Sequence, residues 1–164
     1  RAKKIEAQLL LVGPVQDEPY AAGMRAAAEE GGIEDSIIWH GFTAEVAPLF
    51  RVADVYALVS KNEGMPSALV EAMASSLPVV VSRISGIEDI VEEGASGFLV
   101  EDRAAVVAQA LENLIREPIL AKDFGAKGRH LVEERLSLGV VAHAYKRLFE
   151  LATSGGDAAD ASLF

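Results

Sequence analysis

Short unbroken apolar runs alternate along this chain with longer stretches whose apolar residues recur every three or four positions. The first texture predicts strands covered on both faces, because a strand with one wet face alternates apolar and polar residues. Gln8-Leu9-Leu10-Leu11-Val12, ending at Gly13-Pro14, is the first such run, and Ser36-Ile37-Ile38-Trp39, ended by Gly41, the second. Asp54-Val55-Tyr56-Ala57-Leu58-Val59, Pro78-Val79-Val80-Val81-Ser82 and Gly97-Phe98-Leu99-Val100 follow as the third, fourth and fifth. Between them the pattern turns helical. Pro19 opens a helix to about Glu30, closed by Gly31-Gly32. Residues 43–53 contain a short helix with Pro48 near its first turn. Ser67 to Ser76 is a helix with Leu69, Ala72, Met73 and Ser76 on one side, and Gly86 to about Glu93 is another, stopped by Gly94. Asp102 can cap a helix carrying Val107, Leu111, Leu114 and Ile115, which Glu117-Pro118 breaks. Two more helices are expected near 119–134 and 138–151, the last with Val141, Ala144, Tyr145, Leu148 and Phe149 at core spacing.

Strands separated by helices predict right-handed βαβ units. The fold class is therefore α/β, a doubly wound parallel sheet of Rossmann-like type. With no internal repeat and no interior linker, residues 1–151 are expected to form one domain. The small, polar, acidic residues 152–164 are expected to be a disordered tail. Ligands of such sheets sit beyond the carboxyl ends of the strands. Here those ends are Gly13-Pro14, His40-Gly41, Ser60 to Met65, Arg83 to Gly86 and Glu101-Asp102.

Composition narrows the chemistry. The 164 residues contain no cysteine, which excludes disulfides, thiolate catalysis and cysteine-ligated zinc and makes a reducing, cytoplasmic setting the expectation. No apolar run approaches membrane-spanning length. The 25 acidic and 15 basic residues give a net charge of −10, which argues against nucleic acid or an anionic membrane surface as partner. A phosphate-bearing ligand would meet an opposing field, so local donors such as the amides of a helix start would have to hold it.

The richest strand end runs Ser60-Lys61-Asn62-Glu63-Gly64-Met65-Pro66-Ser67-Ala68-Leu69-Val70-Glu71-Ala72-Met73-Ala74. Pro66 suits a first helical turn, and Ser67 a cap or first turn. Gly64 allows a ligand close to the backbone. Amides near Ser67 and Ala68 would point out of the helix start toward an anion. Glu71 lies one turn further in and can lean back toward the same mouth, and Glu63 stands in the loop before it. Amides for a diphosphate, flanked by carboxylates for hydroxyls, make a set that a sugar nucleotide needs, and one carboxylate can accept from two vicinal ribose hydroxyls. The spacing by itself says little, since Glu93 and Glu101 are equally far apart and a lone helix glutamate is ordinarily solvated. The context carries more: a strand, Glu-Gly-x-Pro, a second glutamate in an Ala-rich helix, then Leu77-Pro78 and an apolar strand.

This segment resembles the group 1 family of retaining GT-B glycosyltransferases, whose pattern is a glutamate, a Gly-x-Pro or Gly-x-Gly loop, then Leu-x-Glu-Ala-Met-Ala. The resemblance covers about the first 150 residues and includes Leu10-Leu11-Val12-Gly13, Ile38-Trp39-His40-Gly41-Phe42 and Leu49-Phe50-Arg51-Val52-Ala53-Asp54-Val55. It continues through Ser85-Gly86-Ile87-Glu88-Asp89-Ile90-Val91 and Gly97-Phe98-Leu99-Val100. It implies the second, donor-binding half of a GT-B fold and transfer of a hexosyl group from a nucleotide-diphosphate-sugar to a sugar or lipid. Glu63 would be the catalytic-site residue contacting the donor sugar, and Glu71 would bind the ribose. Gly64, Met65, Pro66, Ser67 and Ala68 would hold the sugar and diphosphate. Ile38 and Trp39 would line the base pocket, and Gly13 would leave room beside the nucleotide. It implies no metal and no cofactor, and the chain has no Asp-x-Asp.

The family's Arg and Lys-Gly for the diphosphate, which precede the first strand, have no counterpart here, and Lys3 and Lys4 read as solvated. The expectation is therefore a fragment whose partner is the acceptor-binding N-terminal domain, through which any peripheral membrane association would run. Alone it would bind donor weakly and transfer nothing. A non-catalytic nucleotide-binding or interaction module on the same scaffold is the alternative. A dinucleotide oxidoreductase is disfavoured, because no strand is followed by Gly-x-Gly-x-x-Gly. Arg83 and Ser85 could border the sugar, Lys61 could reach a phosphate, and His40 is a strand-end candidate. His130, His143, Glu92 and Glu93 read as solvated helix positions.

Overall fold

The computed structural model describes residues 6–154. Lys3, Lys4 and residues 155–164 lie outside the described residues. The chain divides into two compact units, Arg1–Val46 and Ala47–Phe164.

The first unit holds strand β1 (Leu9–Val12), helix α1 (Glu18–Glu30), a 3-10 turn (Glu34–Ser36) and strand β2 (Ile37–Gly41). Asp17 starts α1: its carboxylate accepts the Tyr20 N–H at 2.9 Å, and Pro19 sits in the first turn, where no amide is needed. Gly31 ends the helix and Gly32, at φ +60°, turns the chain back. β1 and β2 pair in parallel, Leu9 opposite Ile37, and the register shifts after Leu11 so that Val12 meets Gly41. Gly13, at φ +141°, donates its N–H to the Gly41 carbonyl at 2.9 Å and closes the strand end. Both strands are only half buried, which departs from the expectation of strands covered on two faces. This unit has one α-helix to cover two strands.

The second unit holds α2 (Ala47–Val52), β3 (Tyr56–Leu58), α3 (Ser67–Ala74), β4 (Val79–Ser82), β5 (Gly97–Val100), α4 (Ala104–Arg116), α5 (Pro118–Arg135) and α6 (Leu138–Ser154). Its sheet is parallel with order β3-β4-β5. β4 is buried along its whole length, as its unbroken valine run predicts. Successive strand residues face opposite layers. Val79 and Val81 pack with Leu69 and Met73 of α3, Ile87, Ile90, Val91 and Val132 of α5. Val80 packs on the other face with Val100, Ala110, Leu114 and Phe124. Helices thus cover both faces of a parallel sheet, the α/β class expected. Two glycines allow close packing here: a methyl at Gly97 of β5 would stand 2.5 Å from Cγ2 of its β4 partner Val79, and one at Gly125 of α5 would collide with the Ser76 carbonyl.

Several expectations need correction. Residues 86–93 form no helix. They make consecutive turns in which Ile87 and Glu88 donate to the Ile84 carbonyl and Ile90 and Val91 donate to the Ile87 carbonyl. The turns bury Ile87, Ile90 and Val91 at a spacing that mimics helical period. Asp102 does not cap α4, whose N-cap is Arg103 with no side-chain bond. Pro66, expected in the first turn of α3, is its N-cap, and Ser67 is the first helical residue. Ser76 lies beyond α3 and is exposed, and Ile115 is exposed at 41%. α6 extends through Ser154, past the boundary expected at 151. Tyr145 and Phe149 of α6 are exposed and stack on each other at 6.5 Å instead of entering a core.

Candidate functional site

The strand ends of the second unit build one site outward from the sheet. Ser82 closes β4 with its side chain buried, and its hydroxyl accepts the Ser60 N–H at 2.8 Å, tying the end of β3 to the end of β4. The Ser60 hydroxyl then donates to Glu63 Oε1 at 2.7 Å. A short relay thus runs from sheet to serine to serine to carboxylate, and it fixes the Glu63 side chain before any ligand arrives. One carboxylate oxygen is occupied. The other has no hydrogen-bond partner among the described residues.

The loop is also held from beneath. Gly86 has φ +87°, and a Cβ there would stand 2.6 Å from the Gly64 carbonyl. Only glycine allows both the backbone angle and the contact. Arg83 steadies the same turn: it pairs with Glu93 at 2.8 Å and Glu88 at 3.6 Å and donates to the Leu99 carbonyl. Glu93, expected to be solvated, accepts from the Leu99 N–H as well. Glu92 pairs with Arg135.

α3 opens immediately after this loop. Its cap, Pro66, offers no side-chain acceptor, and the Pro66 carbonyl takes the amides of Leu69 and Val70. The amides of Ser67 and Ala68 have no acceptor among the described residues, and both residues are exposed. Two free N–H groups on an uncapped helix start carry a partial positive charge toward solvent. Gly64 and Met65 are exposed beside them, and nothing lies within 4 Å of a Cβ built on Gly64. Pro66 is buried and anchors the turn. Glu71, one turn into α3, is exposed; its carbonyl accepts the Ser75 N–H, and its carboxylate has no hydrogen bond or ion pair with a described residue.

Tyr56 reports that the two carboxylates share a neighbourhood. Burial pushes its phenol up to about 12, with further contributions from the negative charges of Glu63 and Glu71. Its ring also meets Phe50 edge to face at 6.0 Å.

Gly13, Ile38 and Trp39 belong to the first unit. Gly13 ends β1 with open space around it, and Ile38 is 44% exposed on β2. The Trp39 ring carries the Arg25 guanidinium 4.7 Å above its centre, which occupies one face with a cation. His40 is exposed and reaches only the neighbouring Gly41 carbonyl at 3.4 Å. His130 pairs with Glu134 on one helix face, and His143 lies on α6.

The sequence placed Ser60 and Gly86 at ligand-side strand ends without giving them a role, and it did not single out Ser82 or Tyr56 for this site. Ser60 stands three residues before Glu63, a reach that side chains in a tight loop can span, and this is the one available signal.

Comparison with known proteins agrees with this architecture. The sequence model of the glycosyl transferases group 1 family matches residues 1–131, and the chain belongs to that family. N-acetyl-alpha-D-glucosaminyl L-malate synthase of Bacillus anthracis is 29% identical over 148 residues, 89% of this chain and 38% of the synthase. Phosphatidyl-myo-inositol mannosyltransferase of Mycobacterium leprae is 33% identical over 155 residues, 92% of this chain and 40% of the transferase. The chain thus spans well under half of these relatives. Among solved structures, Anabaena HepE in complex with UDP superposes with a TM-score of 0.81 at 22% identity, over 90% of this chain and 41% of HepE. The fold is that of the Rossmann-like C-terminal half of a GT-B glycosyltransferase.

Proposed function

We propose that this chain binds the nucleotide-diphosphate-sugar donor of a retaining glycosyltransferase. The observation that carries the reading is the helix start at Ser67 and Ala68, with two unengaged amides between the fixed carboxylate of Glu63 and the unpartnered carboxylate of Glu71. The amides take the diphosphate. Glu71 accepts from the two ribose hydroxyls, and the free oxygen of Glu63 meets the hydroxyls of the donor sugar. Gly64 and Met65 let the sugar lie against the loop. The relatives that support this include HepE, whose structures carry UDP and UDP-glucose.

Transfer of a hexosyl group also needs an acceptor-binding domain, which in this reading precedes the present residues. The reaction uses no metal ion, because the amides and the helix start supply the charge stabilisation a metal would otherwise give. The setting is cytoplasmic. Calorimetry with uridine, guanosine and adenosine diphosphates tests the reading. Saturable binding of one of them supports it, and binding of none rejects it.

A further inference from the structure

The ends of the second unit's strands opposite the site carry a separate cleft of about 410 Å³. It opens where the chain enters β3 and β4, on the far side of the sheet from Ser60 and Arg83. Arg51, Lys122, Ser75, Ser76, Asp54 and Pro78 line it. In a chain of net charge −10, most described lysines and arginines are held by carboxylates. Arg51 and Lys122 pair with no described residue, although Asp54 lines the same cleft, and both are exposed.

Ser76 adds a second observation. It is the one described non-glycine residue with a positive φ, +62°. Its N–H donates to the Met73 carbonyl and that of Leu77 to the Ala72 carbonyl, the helix-ending pattern in which glycine is preferred. A hydroxyl thus stands at a position where backbone energetics favour having no side chain, and Ser76 lines the same cleft as Arg51 and Lys122.

We propose that this cleft binds a phosphomonoester. Arg51 and Lys122 supply the charge, and the hydroxyls of Ser75 and Ser76 supply neutral donors. The Pro78 wall contacts the organic part, and Asp54 accepts from a hydroxyl on it. The source is a soluble sugar or polyol phosphate, or the same group on a lipid head. The cleft lies away from the donor residues, so its occupancy is independent of Glu71.

The test is amide NMR of the whole 164-residue chain, titrated with inorganic phosphate and glycerol 3-phosphate, and separately with phosphatidylcholine vesicles with and without phosphatidic acid. Saturable shifts at Arg51, Ser75, Ser76 and Lys122 are expected. They should weaken at least about tenfold in an Arg51→Ser/Lys122→Ser variant of unchanged circular dichroism, and persist in Glu71→Ala. Shifts with the soluble phosphates assign a soluble ligand. Shifts only with phosphatidic acid vesicles assign the lipid head at the same site. Shifts confined to Ser67 and Ala68, shifts that survive in the double variant, or no response to any probe would overturn the proposal.

Discussion

A carboxylate in a mobile loop loses side-chain entropy when it binds, and Glu63 has lost much of it in advance. Its hydrogen bond to Ser60, itself anchored on Ser82, makes Ser60 a residue whose removal separates two affinities. Ser60→Ala should leave nucleoside diphosphate binding unchanged and weaken the intact nucleotide sugar by about 1–2 kcal/mol, measured by calorimetry with the two ligands side by side. Tyr56 offers an optical reading of the same neighbourhood. Its phenol ionises near pH 12 in place of 10, so the stability it contributes is intact below pH 10 and is lost as the pH rises toward 12. A spectrophotometric titration should show this late tyrosine ionising earlier in Glu63→Gln and in Glu71→Gln, though still above its ordinary value because burial remains. Both carboxylates are legible in the sequence because each stands in a pattern tied to a strand end and a helix start. Ser60 and Ser82 are not, because their roles depend on β3 and β4 lying side by side.

At the scale of elements, the long apolar runs and the Gly and Pro boundaries locate the strands and most helices, because burial and backbone geometry act locally there. The turns at 86–93 mislead, since Ile87, Ile90 and Val91 meet the core at helical spacing while their amides close on only two carbonyls. Gly86 is the residue on which that segment turns. Gly86→Ala should press on the Gly64 carbonyl and strain the backbone, destabilising the protein by about 1–3 kcal/mol and weakening nucleotide-sugar binding further. Denaturant unfolding and calorimetry on the same variant would show both effects. The end of α3 predicts the opposite sign. Ser76→Gly removes a side chain from a left-handed position and should stabilise by roughly 0.5–1 kcal/mol after the entropy cost of glycine, read from the urea midpoint.

The whole molecule carries −10 charges, yet the helix start at Ser67 and Ala68 presents donors that are neutral overall. Backbone amides do not depend on a screened Lys or Arg, and salt screens the repulsion between the −10 chain and the anion, so nucleoside diphosphate affinity should hold or rise with added salt. A highly charged protein that held the anion by lysines would lose affinity steadily. The family and the parallel α/β class were both readable from ordered motifs spread along the chain, since each motif fixes a strand end or turn. The burial of individual faces was not, because cover for Leu9, Ile38, Tyr145 or Phe149 depends on what packs over them, which local pattern does not encode.

Calorimetric titration of a nucleoside diphosphate into the chain and into its Glu71→Ala variant tests the central claim most directly. Saturable binding to the unaltered chain, weakened by about 1–3 kcal/mol in the variant, is the predicted result. Equal affinity in both would contradict the ribose role of Glu71 and with it the donor site at the start of α3.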